Sequence, residues 1–328
     1  MGNSKIMADR ILVTGGSGFV GTNIIEDLIS KEYEVLNIDF KEVRINDHKA
    51  FWKNIDIRDF NDFYNAVLEF NPDYIIHLAA RTDLDGKTIE DYSSNILGVE
   101  NLLKIVQDLP KLKKVIITSS KFVTLNGYQP KNQHDYCPHT MYGESKVETE
   151  LRVWANEPHC DWCIIRPTSI WGPWFGIPYR NFFDVIMKRI YFHIGQVKCY
   201  KTFGYIGNSI YQIESLLFAE TPDKNNKVFY IGDEPPYEIN EWADEIAAEL
   251  GFKVHTVPMC FIRLLASFGD FLKLFHIQFP MQSFRYENMT KDGTNDMKNT
   301  YKIAPGQPFS RMEGIKATIE WIRKHEVK

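Results

Sequence analysis

The amino-acid sequence predicts an α/β fold, a doubly wound parallel sheet followed by a smaller domain, and two observations carry that prediction. Over the first half, short β-branched apolar runs alternate with helical patterns. Strict strand–helix–strand alternation requires parallel strands with helices on both faces. After Pro173 the rhythm gives way to aromatic and Gly-rich loops, longer helical patterns and the Pro235-Pro236 break. The 328 residues suffice for two closely packed domains, expected at 8–173 and at 174–328, with parts of the second free to return to the main sheet.

The elements follow in order. Arg10–Thr14 reads as a buried strand, followed by glycines and a helix from Phe19 to Ser30. Strands are expected at Glu34–Asp39, more weakly at Trp52–Ile57, then at Tyr74–Ala79, Lys114–Ser119 and from Cys163 to Arg166. Helices are expected over Tyr92–Gln107 and Met141–Asn156. No internal repeat or low-complexity tract interrupts them.

Composition narrows the function classes. Apolar residues make up 44% and charged residues 25%, the balance of an ordinary globular protein. The formal charge of −5 offers no basic surplus for a nucleic-acid partner. Cysteines number five, an odd and scattered set, which points to a reducing compartment and hence the cytoplasm. Cys160 and Cys163 have redox or metal spacing without a second pair, so a structural role is expected. No His, Cys or carboxylate cluster has ligand spacing, and no metal is expected.

No apolar signal run precedes the first strand. The opening Met1–Ile6 begins like a myristoylation site but puts Ile6 where Ser or Thr is required. The apolar stretch Met259–Met281 is interrupted by Arg263, Asp270 and Lys273, so an amphipathic core helix is expected there and no membrane span.

Between the first strand and first helix lies Thr14-Gly15-Gly16-Ser17-Gly18-Phe19-Val20-Gly21. Glycines at this spacing allow a tight turn, close approach of a pyrophosphate and packing of helix on strand. The helix N-terminus then offers unpaired N–H groups to phosphate oxygens. This is a Rossmann-type dinucleotide site, with Gly15, Gly18, Phe19, Val20 and Gly21 against the cofactor. Asp39, closing the second strand, is placed to accept hydrogen bonds from the adenosine ribose and to repel a 2′-phosphate, favouring NAD over NADP. Arg44 nearby is the residue that could tolerate such a phosphate. Asp56, with Ile57, is expected beside the adenine.

Tyr142 and Lys146 are four residues apart on a helix, hence on one face. A tyrosine titrates at about 10 and is a poor base at neutral pH. A neighbouring ammonium and a cationic nicotinamide would lower that value and let the phenol take a proton from a substrate hydroxyl. Ser120, ending the fifth strand, is the candidate to hold the reacting oxygen.

These residues resemble the extended short-chain dehydrogenase/reductases, the NAD-dependent sugar-nucleotide epimerase/dehydratase group. The resemblance runs through Thr14–Gly21, Asp39, His77–Ala80, Asn95 with Gly98 and Asn101, Thr118–Ser120, Tyr142–Lys146 and Arg166–Pro173, about half of the chain in the family's order. It implies NAD on the N-terminal domain and a substrate held against the C-terminal part. It implies catalytic roles for Ser120, Tyr142 and Lys146, and cofactor contacts from Leu78, Ala79, Ala80, Asn95 and Pro167. Thr82 and Ser120 fall to the substrate, and a homodimer is implied as well.

The departures bear on the reaction. Dehydratases of this group follow the catalytic Thr with an Asp-Glu pair; Lys121 and Phe122 stand here, which disfavours elimination. Thr124 replaces a frequent Tyr, and Ser169 an Asn common in hexose epimerases. A diphosphate needs cations and amides; the candidates are Arg180, Asn181, Lys188, Arg189, Lys201 and Arg285. Trp171, Trp174 and Phe175 could floor a ring, although packing is the simpler role. His77 reads as a core histidine, and His139 could reach the site mouth. The resulting expectation is a 4-epimerase or 4-ketoreductase acting on a nucleotide sugar. The alternatives are a dehydrogenase of steroid-like hydroxyls and a non-catalytic NAD binder.

Overall fold

The structure, a computed structural model, describes residues 8–195, 197–221, 226–259 and 290–326. The described part opens with β1 (Arg10–Thr14), α1 (Phe19–Ser30), β2 (Glu34–Ile38), β3 (Trp52–Lys53), α2 (Phe60–Phe70) and β4 (Tyr74–His77). Next come α3 (Ser93–Ile105), β5 (Lys114–Thr118), α4 (Met141–Ala155), β6 (Asp161–Pro167), β7 (Ser169–Trp171) and α5 (Arg180–Met187). The remainder comprises β8 (Phe192–Ile194), β9 (Tyr200–Lys201), β10 (Phe203–Tyr205), α6 (Ile206–Phe218), β11 (Val228–Ile231), β12 (Tyr237–Glu238), α7 (Ile239–Glu249) and β13 (His255–Val257). Two helices close it, α8 (Lys298–Ile303) and α9 (Arg311–Glu326).

Seven parallel strands form the main sheet in the order β11-β6-β5-β4-β1-β2-β3. Side chains alternate along each strand and so divide between two cores. Ile11, Val13, Ile76, Ile116 and Ile165 face α1 and α6; Leu12, Ile75, Val115, Ile117 and Ile164 face α2, α3 and α4. The order reverses between β1 and β4, and at such a switch point the connections leave on opposite faces and open a crevice. Registers set Thr14 beside Ile38 and His77, and Thr118 beside Ile165, so the strands' carboxyl ends form one edge.

Two local results differ from the sequence expectation. The third strand is only Trp52–Lys53, because the chain turns away after pairing Asn37 and Ile38. The helix α2 was not anticipated, although Asp59 caps it by accepting from Asn61 N at 3.1 Å and Asp62 N at 3.2 Å. Beyond Pro173, β11 pairs with β6 and α6 packs on the sheet, so this part of the C-terminal half completes the first layer system. The rest gathers round an aromatic centre in which Trp242 lies 4.6 Å from Phe182, 4.7 Å from Phe203 and 5.2 Å from Trp171 between ring centroids. Among the described residues no helix is long and apolar enough to cross a membrane. Cys260, Arg285 and nearly all of the stretch Met259–Met281 lie outside the described residues.

One buried ionic network ties α4 to the sheet. Arg166 on β6 meets Glu150 on α4 through Nε at 2.8 Å and Nη2 at 2.7 Å, with both side chains almost wholly inaccessible. Ser119 Oγ donates to Glu150 Oε1 at 2.5 Å and Tyr136 OH to Oε2 at 3.0 Å. Glu150→Ala would strand the guanidinium without a counter-charge, and is expected to destabilise the protein by about 3–5 kcal/mol. Urea unfolding of the variant beside the parent chain measures this.

Candidate active site

The glycine turn sits at the β1/β4 switch point. Gly15 has φ of +76°, and a Cβ there would lie 2.6 Å from Ala79 N, so only glycine lets the two strand ends approach. A Cβ on Gly21 would stand 2.2 Å from Gly15 O, which fixes α1 against the turn. Gly18 begins α1 with no side-chain cap and no acid in the first turn. The N–H groups ahead of Phe19, Val20 and Gly21 therefore remain available for a phosphate, and the turn fits the pyrophosphate of a dinucleotide.

Asp39 closes this groove. Its Oδ2 accepts from Ser17 N at 3.1 Å and its Oδ1 from Lys41 N at 2.9 Å. Burial pushes its carboxyl up, against the pull of those two amides. Arg44 donates from Nε to Ser17 O at 3.0 Å and from Nη1 to Trp174 O at 2.5 Å, so two of its nitrogens are held by backbone carbonyls. Asp56 pairs with Arg58 at 2.5 Å, which holds it below the usual carboxylate range, while Ile57 is buried beneath α3. Leu78, Ala79 and Ala80 follow β4 half-buried, with Leu78 N donating to Thr14 O and Ala79 N to Thr14 Oγ1. Pro167 ends β6, also half-buried.

Asn95, an expected cofactor neighbour, and His77, the expected core histidine, are both held by protein groups. Asn95 accepts from Arg81 N at 2.7 Å and donates to Arg81 O at 3.0 Å and Ser145 Oγ at 2.9 Å. It braces the loop after β4 against α4 from behind the groove. His77 Nδ1 shares a hydrogen bond with Thr14 Oγ1 at 2.8 Å, and burial pushes its imidazole down to about 3, a neutral core histidine.

The structure brings Ser120, Tyr142 and Lys146 together at the sheet edge. Thr140 caps α4 by accepting from Gly143 N at 3.0 Å, which sets Tyr142 in the first turn and Lys146 one turn later, both buried. The Ser120 hydroxyl neighbours the Tyr142 phenol and favours its ionised form. Phe122 meets the Tyr142 ring edge-on at 5.8 Å, and Tyr92 lies 6.0 Å away. Lys146 Nζ donates to Thr118 O at 2.9 Å.

The electrostatics reverse one expectation. Burial raises the Tyr142 phenol above its ordinary value, opposed by the Ser120 hydroxyl, and no lowering by Lys146 appears. The ammonium is turned to the Thr118 carbonyl, and burial pushes Lys146 itself down to about 8 against the pull of Glu150. Desolvation outweighs the local cation, so the protein alone keeps the phenol protonated.

The expected substrate residues disperse. Thr82 is exposed in the loop after β4, and Asn181 is exposed on α5. Arg180 pairs with Asp184 at 3.1 Å. Lys188 is exposed, and Arg189 covers the Phe252 ring at 5.0 Å. Trp171 and Phe175 are buried in the aromatic core, and Trp174 packs on Trp321 and His325. Burial drives the Cys160 thiol up to about 11 and Cys163 to about 12, neither a reactive thiolate. No metal-holding group of residues occurs among the described residues.

Two neighbours of the site were not anticipated. Tyr179, half-buried, lies against Ser169 and acts on the Tyr142 phenol. Lys121 Nζ donates to Ser169 Oγ at 2.8 Å. Only tertiary packing joins them, so no spacing in the sequence could announce the group.

The NAD dependent epimerase/dehydratase family matches residues 11–200, more than half of the chain and all of the cofactor groove. The chain belongs to that family. Its members are NAD-dependent enzymes, and its cofactor is NAD. It is 25% identical to an N-acetyl-α-D-glucosaminyl-diphospho-ditrans,octacis-undecaprenol 4-epimerase of Escherichia coli O157:H7, over 98% of both chains. It is 28% identical to a 3-beta-hydroxysteroid dehydrogenase of Mycolicibacterium neoaurum, over 78% of this chain and 75% of the other. Its fold matches the Bordetella bronchiseptica enzyme WbmG in complex with NAD and UDP, with a TM-score of 0.73, 19% identity and coverage of 99% and 97%.

In a family that binds NAD, Asp39 is the carboxylate at the end of β2 within reach of the turn's amides. Asp39→Ala removes a charged acceptor, and NAD affinity should fall about ten- to a hundredfold while NADP gains relative to it. Fluorescence titration of both dinucleotides reads the change.

Proposed function

We propose that this enzyme oxidises and re-reduces, or simply reduces, the C4 position of a sugar attached to a nucleoside diphosphate. The observation that carries this reading is the Ser120–Tyr142 pair, with Lys146 one helical turn on, at the same sheet edge as the uncapped N-terminus of α1. Gly15, Gly18, Phe19, Val20 and Gly21 would hold the pyrophosphate, Asp39 the adenosine ribose, and Leu78–Ala80 with Pro167 the groove walls. When bound, NAD supplies an acceptor for the ring carbon's hydrogen with its electron pair, and a positive charge next to the phenol.

Ser120 then holds the sugar oxygen and Tyr142 takes its proton. Burial alone leaves Tyr142 too weak an acid for this, so deprotonation awaits the positive charge brought with the nucleotide. Lys146 keeps its own charge below about pH 8, held on the Thr118 carbonyl one helical turn from the phenol. Phe122 and Tyr92 close the ring's sides and exclude water. Elimination of water is disfavoured because Lys121 and Phe122 follow Ser120, leaving no carboxylate pair there. A sterol is disfavoured because the Lys121 ammonium lies against this site. The full-length likeness to an epimerase of a lipid-diphosphate sugar supports a lipid carrier in place of the nucleotide as a second reading.

Tyr142→Phe should lower kcat by about 10²- to 10⁴-fold while NAD still binds. Product NMR with a panel of nucleotide sugars, alongside nicotinamide absorbance, tests the reading: an epimerase leaves the absorbance unchanged, whereas a reductase consumes NADH. Undiminished turnover in the variant overturns it.

On this reading the enzyme is a cytoplasmic homodimer joined through α3 and α4. These helices pack together and present Leu97 and Leu151, 44% and 45% exposed, on their outer side. The double substitution Leu97→Glu, Leu151→Glu should give a monomer in sedimentation velocity where the parent chain is a dimer.

A further inference from the structure

Lys121 follows Ser120 directly and opens the short 3₁₀ turn Lys121–Val123. Its partly buried side chain donates from Nζ to Ser169 Oγ at 2.8 Å and lies 5.9 Å from the Phe122 ring. That ring in turn meets Tyr142 edge-on at 5.8 Å. Tyr179 also lies against Ser169, and it acts on the Tyr142 phenol. The ammonium therefore stands one aromatic ring away from the reacting hydroxyl.

Among the described residues no carboxylate pairs with Lys121. The titratable groups that face it are Lys201 on β9, which repels it, and His139, whose imidazole it pushes down. A desolvated ammonium whose hydrogen-bond acceptor is a neutral hydroxyl is held at a cost, and an incoming anion removes that cost. Held on Ser169 and set against the Phe122 ring that meets Tyr142, the ammonium lies where it would face a group on a ring carbon next to the reacting one. In a hexuronate the carboxyl hangs from C5, which adjoins C4. The diphosphate leaves from C1, across the ring.

We propose that Lys121, seated on Ser169, binds a carboxylate carried by the sugar ring, so that nucleoside diphosphate hexuronates are the preferred substrates. This rests on the nucleotide-sugar reading above and names its substrate class.

The test uses the NAD-loaded enzyme with UDP-glucuronic acid, UDP-glucose, which differs only at C6, and UDP alone. A charged hydrogen bond predicts a kcat/KM about ten- to a hundredfold higher for the acid. Lys121→Met should erase that ratio while leaving UDP affinity and NAD content unchanged. The ratio should also fall as pH rises past about 8, where Lys121 loses its proton; Lys146 acts on both sugars alike and cancels. Equal handling of the two sugars by the parent enzyme overturns the proposal. So does a Lys121→Met variant that weakens UDP as much as the acid, since the ammonium would then hold the diphosphate. If neither sugar nucleotide binds or reacts while NAD does, the nucleotide-sugar reading itself falls and takes this one with it. Should Lys121→Met not fold, the parent enzyme's preference and its pH profile decide.

Discussion

The site depends on a charge pair that takes no part in the chemistry. Arg166 and Glu150 are both sequestered from water, where each charge alone would be untenable, so each fixes the other. Glu150 lies one turn beyond Lys146 on the same helix, and its carboxylate also holds Ser119, the residue before Ser120. A single anion thus ties the helix carrying the phenol and ammonium to the strand end carrying the hydroxyl. Asn95 adds a second tie, from the loop after β4 to Ser145. One brace, at Ser145, falls between the reactive positions along α4 and the other one turn beyond them, which leaves that helix little freedom to turn.

The same burial that makes the frame rigid sets the chemical state of the site. Tyr142, Lys146 and Lys121 all shift toward their neutral forms, because each has lost water and gained only weak partners. A site so arranged is poised to accept charge from its ligands: a cationic ring beside the phenol, and phosphates at the uncapped helix. On the proposed mechanism the chain supplies position and dryness, and the cofactor would supply the charge that makes the phenol a base.

What the sequence revealed follows from the range of the interactions. The strands were legible because runs such as Val115-Ile116-Ile117 are buried on both faces and need no partner to be recognised. The glycine turn and the Tyr142–Lys146 spacing were legible because each is a local geometry. The short β3 was overestimated, since Ile55 beyond it packs against the core without pairing. The return of β11 to the sheet edge was only left open, because four residues give no period to read. The state of the phenol was misjudged for the same reason. Spacing reveals that a lysine is near, whereas the direction of its ammonium and the loss of water depend on the folded surroundings.

The strand end after β5 shows how the fold separates duties that the sequence sets side by side. Ser119 turns inward to Glu150, Ser120 turns to Tyr142, and Lys121 turns to Ser169. Extended backbone at Ser120, with φ of −159° and ψ of 155°, sends neighbouring side chains to opposite sides, and the 3₁₀ turn beginning at Lys121 redirects the third. Ser119 therefore answers to the scaffold, while the residues after it face the ligand side. A change at Lys121 can alter which sugar is accepted without disturbing Ser119, because the two side chains share no partner. On the proposal for Lys121, substrate preference would vary at that position while the geometry held by Ser119 and Glu150 stays fixed.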